Sequence, residues 1–253
     1  MKFALPTIAM SLFMAFYTMV DGLFVSNLIG TNALSAINLS APIISLVTAI
    51  STMLATALVT GITTLMFNWT MLRYVGENGI AAITIIMYVL MFVSSLFSGY
   101  SYGVAPMISY YYGEQNHEKL KKLIRKSLKI IAVISVLFLA ASLIITKPLV
   151  SIFARPDNPV FELAVTGNRI CSIALLFIGF NIFSSGMFTA LNNGIVSAIL
   201  AFSRSFVFMV ICLLALPLFF GVTGIWLATP AAELMAIALA CFMFLKYKNK
   251  YKF

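Results

Sequence analysis

The sequence predicts an all-α polytopic membrane protein, and three observations carry that prediction. Hydrophobic residues fill 62% of the 253 positions and charged residues only 9%, with a mean hydropathy of +1.06. No soluble domain of this size could cover so much apolar surface. The apolar runs are also long, from Phe3 to the Gly30-Thr31-Asn32 turn and again from Ala33 to Val75. Runs of that length exceed the short alternating strands of a barrel, so only helices can satisfy their backbone in lipid. Third, a glycine turn recurs. Gly30-Thr31-Asn32-Ala33-Leu34-Ser35-Ala36-Ile37 is echoed by Gly76-Glu77-Asn78-Gly79-Ile80-Ala81-Ala82-Ile83, and more weakly by Gly221-Val222-Thr223-Gly224-Ile225. Each marks a helix end, a tight turn and a new helix start.

Taken in order, the first helix spans about 3–28, with Pro6 tolerated in its first turns. Its start resembles a cleaved leader only in Lys2, so it reads as a retained first span. The stretch from Ala33 to Val75 carries no charge before Arg73 and suffices for two crossings or for one very long helix. If the Gly30 and Gly76 turns share a face, an even number of crossings separates them. Two helices follow, about 33–54 and 57–75, with a cramped reversal between them. Gly79 to Tyr112 is the next helix, expected to bend near Gly99, Gly103 and Pro106. A charged loop, Gly113 to Lys129, comes after it. Within it, Glu118 to Lys129 fits the start of an amphipathic helix, and His117 reads as a solvated loop residue.

Ile130 to Ile145 completes a span, and Lys147-Pro148 opens a loop that ends at Pro159. Spans at about 160–191 and 195–220 meet at the Asn192-Asn193-Gly194 turn, and Gly224 to Leu245 is the last, before a basic tail from Lys246 to Lys252. The total is about eight transmembrane helices. Lys2, the 119–129 cluster and the tail then fall on one side, against Arg73, Lys147 and Arg155 on the other. That bias puts both termini in the cytoplasm, with the chain in a cell inner (plasma) membrane and lipid as its surroundings. The net charge of +9 is therefore a topology signal and not a nucleic-acid footprint.

Intramembrane ionisable residues are the candidates for chemistry, because a charge in hydrocarbon costs several kcal/mol, about 3 or more, unless it is paired or wetted. Asp21 should face a protein interior or a wet cavity, with Tyr17, Asn27 and Asn38 as lining partners. Glu233 needs a partner too: Arg204 or Arg169 could supply it as an ion pair that holds the bundle together, or Glu233 could line a cavity with Asn181 and meet substrate. Asn68, Asn168 and Asn181 are expected to bond between helices. Cys171, Cys212 and Cys241 lie far apart in apolar segments and read as small core residues. The 14 Met and 22 Phe would suit either a soft cavity for aromatic cations or a lipid-facing surface. No Ser/His/Asp set, metal-ligand cluster or phosphate loop is present, so an enzyme is not expected and no metal site is foreseen.

Several stretches together resemble the multidrug and toxic compound extrusion (MATE) transporters, most closely the bacterial multidrug exporter branch. Met19-Val20-Asp21-Gly22-Leu23-Phe24-Val25, Gly30 and Ala33-Leu34-Ser35-Ala36 resemble that family's first helix and turn. Gly103-Val104-Ala105-Pro106-Met107-Ile108-Ser109-Tyr110 and Tyr112-Gly113-Glu114-Gln115-Asn116 resemble the end of its eighth helix. Gly221-Val222-Thr223-Gly224-Ile225-Trp226 and Pro230-Ala231-Ala232-Glu233-Leu234 resemble its last. The family has twelve helices in two six-helix lobes related as parallel repeats. Against that pattern, residues 1–55 resemble the first two helices of the N-terminal lobe, and 56–253 resemble the complete six-helix C-terminal lobe. The middle four helices are missing, with the join near Ala55-Thr56-Ala57. An acid that the family often carries early in its seventh helix is also absent from Ile50 to Thr60.

The resemblance implies a cation-coupled antiporter that exports small organic cations, with a proton or sodium as the coupling ion and no other cofactor. Asp21 matches the first-helix acid that takes part in proton-coupled export. The missing helices imply alternatives: a partner-dependent exporter completed by a second copy or by a chain bringing the missing lobe, or a non-transporting membrane remnant. Related folds add lipid-precursor flipping.

Overall fold

The computed structural model describes residues 58–252. Tyr17, Asp21, Asn27, Asn38, the helices expected over 3–28 and 33–54, and the expected join lie outside the described residues. Helix α1 covers 58–74 and stops at Gly76, whose φ of +85° only glycine adopts without strain. The Gly76 N–H donates back to the Met71 and Leu72 carbonyls, which closes the helix end. Helix α2, Glu77–Gly113, follows at once with an acid in its first turn, favourable at a helix N-terminus. Its buried residues Ile86, Val93, Phe97, Ser101 and Ile108 fall at heptad-like spacing and form one face.

Helix α3, His117–Ser151, begins where the Asn116 side chain accepts from the Lys119 N–H. The long charged loop expected over 113–129 is therefore only Glu114–Asn116, and the amphipathic start is real. Leu120, Ile124, Ser127 and Ile131 are buried, while Lys122, Arg125, Lys126 and Lys129 are exposed. His117 is the first residue of this helix and half-buried, not a loop residue. The loop expected at Lys147-Pro148 also moves. Pro148 lies inside α3, which ends at Ser151. Pro148 lacks the N–H that would bond the Ile144 carbonyl, so the last turns of this helix are one hydrogen bond short.

Asn158 caps helix α4, Pro159–Cys171, and Pro159 takes the first-turn position that it suits. A 3₁₀ turn at Ser172–Ala174 leads straight into α5, Leu175–Ala190, so both make one long rod. Asn192 then adopts a left-handed φ of +58°, and Asn193 caps helix α6, Gly194–Phe202. A π-helical turn at Ser203–Val207 joins α6 to α7, Phe208–Tyr251. Helix α7 is not straight. Gly221 has φ +56° and ψ −132°, outside any helix. The sulfurs of Cys212 and Met235 lie 3.9 Å apart, whereas 23 residues of straight helix would separate them by about 35 Å. The chain thus reverses at Gly221, and α6–α7 forms a hairpin with two arms.

The last arm reaches Tyr251, so the expected basic tail is helical. Its final turns stay docked because Tyr251 is buried, meets Tyr112 and Phe188 edge to face, and accepts from the Asn193 amide. Cys171 and Cys212 are buried as expected, while Cys241 is exposed.

Among the described residues, Glu77–Gly113, His117–Ser151, Pro159–Ala190 and Gly194–Tyr251 are long and apolar enough to cross a membrane. With the hairpin reversed and α1 added, the chain alternates direction through the lobe. Gly76, Ile152–Asn158 and Gly221 cluster at one end, where the Tyr74 hydroxyl donates to the Pro217 carbonyl. Glu114–Asn116, Asn192 and Tyr251 cluster at the other. Each end has its own core: Met71, Ile86, Phe161 and Trp226 in the first, and Phe97, Leu120, Met187 and Phe188 in the second. Two glycines set the helix approach. A Cβ at Gly167 would press on the Trp226 ring, and one at Gly179 on the Phe97 ring.

Candidate functional site

Among the described residues, Arg204, Glu233 and Asn181 form a charged cluster within the spans. Arg204 Nε sits 3.0 Å from Glu233 Oε1. The Asn181 amide donates to Glu233 Oε2 at 2.6 Å and to the Glu233 carbonyl at 3.0 Å. Glu233 is only 5% exposed and Asn181 4%. Each partner comes from a different element: Asn181 from α5, Arg204 from the π turn, Glu233 from the second arm of α7. The π turn inserts one extra residue per turn and breaks the α-helical register, a feature common at functional sites. It gives Arg204 a direction that an uninterrupted helix would not.

Of the sequence candidates, the structure brings together Asn181, Arg204 and Glu233. Arg169 is exposed and pairs with nothing among the described residues, so the choice that the sequence left open falls to Arg204. Asn168 bonds between helices as expected, donating to Ser142 and Thr146 of α3. Asp21, Tyr17, Asn27 and Asn38 lie outside the described residues.

Two cavities flank the cluster. The first, of about 260 Å³, is lined by Thr60, Thr63 and Thr64 of α1 together with Arg204, Thr229 and Glu233. Phe67, Met87 and Met209 add soft apolar wall. The second, of about 230 Å³, is lined by Ser101, Asn181, Ser185, Thr189, Arg204 and Ser205. Arg204 and Ser205 border both.

Sequence reasoning missed the π turn and the hydroxyl set at 185–205. Ser185 and Thr189 both meet the Ser197 hydroxyl, at 3.0 and 2.7 Å. Their i, i+4 spacing on one helix was the available signal. It also missed the part of Pro230. Proline lacks the N–H that would bond the Trp226 carbonyl four residues back, and the Cys171 thiol donates to that carbonyl instead, at 3.3 Å.

The chain is similar to known proteins in sequence and fold. Residues 58–214 match the MatE family model. Multidrug export protein MepA of Staphylococcus haemolyticus is 27% identical over 190 residues, 75% of this chain and 41% of that protein. An outward-facing multidrug resistance MATE family transporter of the MOP superfamily superposes with a TM-score of 0.71 at 21% identity, over 77% of this chain and 44% of that one. An inward-facing structure of such a transporter gives 0.70 at 22%, over 77% and 44%. The chain spans about two-fifths of the length of these relatives. The family match covers more than half of this chain, and the fold agrees: the chain belongs to the MATE family of multidrug efflux transporters, which are transporters and not enzymes.

Proposed function

We propose that this chain supplies one lobe of a cation-coupled multidrug antiporter that trades protons for small organic cations. One observation carries the reading: a carboxylate, Glu233, borders a threonine-lined cavity with methionine and phenylalanine walls. A cation drawn to Glu233 would compete with Arg204 for the carboxylate, and the soft walls accommodate varied shapes. Asp21 is the proposed coupling acid, exchanging its proton for the cationic substrate, with sodium as the other candidate coupling ion. The basic residues of α3 and the end of α7 share one end of the lobe, which supports a cytoplasmic orientation for that end in a cell membrane.

A partner-dependent version has its own support. The described helices pack as one unit, and the chain matches only 41% of its curated relative. Transport by rocking two lobes about a central site needs a second lobe, from another copy, a companion chain or further polypeptide.

Proteoliposomes with an imposed proton gradient and a cationic dye test the reading. Gradient-dependent dye movement is expected when a second lobe is available, and Asp21→Asn should abolish it without loss of membrane insertion. Dye movement unchanged in Asp21→Asn, at equal protein, would remove Asp21 from the mechanism.

A further inference from the structure

The second cavity differs from the first in the sign of what it offers. Its lining contains no acid; Glu233 borders only the other cavity. Arg204 is engaged through Nε alone, so the N–H groups of its two terminal nitrogens have no protein partner among the described residues. The Ser101 and Ser205 hydroxyls line the same cavity and meet no partner among the described residues, Ser205 being exposed. Ser101 is buried at 3% exposure, and Gly186 leaves it room, since a Cβ there would collide with the Ser101 oxygen. Asn181 is fixed in the opposite sense. Its amide nitrogen is committed to Glu233, which leaves its Oδ1 a buried acceptor without a donor. Asn181 Oδ1 is the buried unpaired atom of this set, at a cost of about 1–3 kcal/mol, while Ser101, Arg204 and Ser205 present their donors to the cavity that they line.

The needed ligand is read from the unpaired set. A guanidinium fork and two hydroxyls ask for several acceptor oxygens, the geometry of an oxyanion. The lone acceptor, Asn181 Oδ1, asks for one O–H. A singly protonated phosphate group presents both. We infer that the Ser101–Arg204–Ser205 cavity binds a phosphate-type oxyanion, as a free phosphate or as the headgroup of an amphiphile. The cavity volume, about 230 Å³, exceeds what a phosphate group occupies. Ser109 donates to the Ala190 carbonyl between the cavity's α2 and α5 walls, on the side of the lobe where Lys119, Lys122 and Lys250 raise the local potential for anions.

This site shares Arg204 and Ser205 with the cation cavity but has Ser101 to itself, so Ser101→Ala tests phosphate binding apart from dye transport. The experiment is calorimetric titration of the purified full chain in non-ionic detergent, with inorganic phosphate and with dihexanoyl phosphatidic acid. Saturable binding of at least one is expected, weakened about tenfold in each of Ser101→Ala and Ser205→Ala. Neither hydroxyl bonds to another of the described residues, so both variants should fold. Arg204→Lys keeps a cation beside Glu233 but removes the fork, and should weaken binding at least as much. Ser172→Ala, at a buried hydroxyl away from this cavity, should leave it unchanged. Binding of phosphatidic acid alone assigns the site to an amphiphile headgroup; binding of both assigns it to phosphate as such. No binding of either, or equal binding by wild type and the Ser101→Ala/Ser205→Ala double variant, would overturn the proposal.

Discussion

Two buried polar clusters sit in the same lobe and are built on opposite principles. Between α3 and α4, Ser142, Thr146, Asn168 and Ser172 close on one another. Ser142 and Ser172 share a hydrogen bond at 2.7 Å, Asn168 donates to Ser142 and Thr146, and Ser172 donates to the Asn168 carbonyl at 2.6 Å. All four residues are no more than 6% exposed, and neither cavity described above touches them. Around Glu233 the opposite holds. A full charge pair is present, an amide oxygen is left over, and cavities lie on both sides. The first cluster joins helices with neutral groups that satisfy each other. The second maintains charge and unpaired groups in a place where both are costly, which is the mark of a binding centre.

The largest expected effect should separate the two. Glu233→Ala leaves Arg204 without its counter-charge and should destabilise the protein by about 3–5 kcal/mol, read from denaturant unfolding in detergent. The Arg204→Gln/Glu233→Gln pair should recover most of that loss. If Glu233→Ala proves as stable as wild type, the carboxylate is not held by Arg204 in solution.

A smaller change is expected in the closed cluster. Asn168→Ala removes two hydrogen bonds and leaves a small void, for a loss of about 1–2 kcal/mol by the same unfolding measurement. Phosphate binding should not change. Altered binding would show that the two clusters communicate, against their separation.

Ser172→Ala should be the mildest, at about 0.6 kcal/mol, because Ser142 keeps Asn168 as a partner. A loss above about 2 kcal/mol would show that the hydroxyls act as a unit and not as separate bonds.

The difference between these clusters was only half visible in the sequence. Glu233 and Arg204 stood out because charge is rare in apolar runs, yet Arg169 competed equally until the fold turned it outward. Spacing cannot tell which face of a helix a neighbour will cover. The Ser142–Ser172 cluster was hidden for another reason: serine and threonine are unremarkable in membrane helices, and only the packing of α3 on α4 gives theirs a purpose. The turns at Gly76, Asn192 and Gly221 were legible because each needs a positive φ. Helix ends were less so. Asn116 capped a helix where the density of lysines suggested a loop, and the lysines of the last turns were read as a tail although Tyr251 holds them in helix.

The hairpin at Gly221 bears on how the lobe enters a bilayer. From Ser205 to Leu245 the only charge is Glu233, and the reversal Gly221-Val222-Thr223-Gly224 carries none. Its partner Arg204 stands on the other arm of the same hairpin, so the two charges meet within a single insertion unit. An isolated acid or arginine at mid-membrane opposes insertion by about 2.5–3.5 kcal/mol. Arriving as a neutralised pair, they ask much less of the translocation machinery, and Asn181 can dock onto a carboxylate that already has its counter-ion.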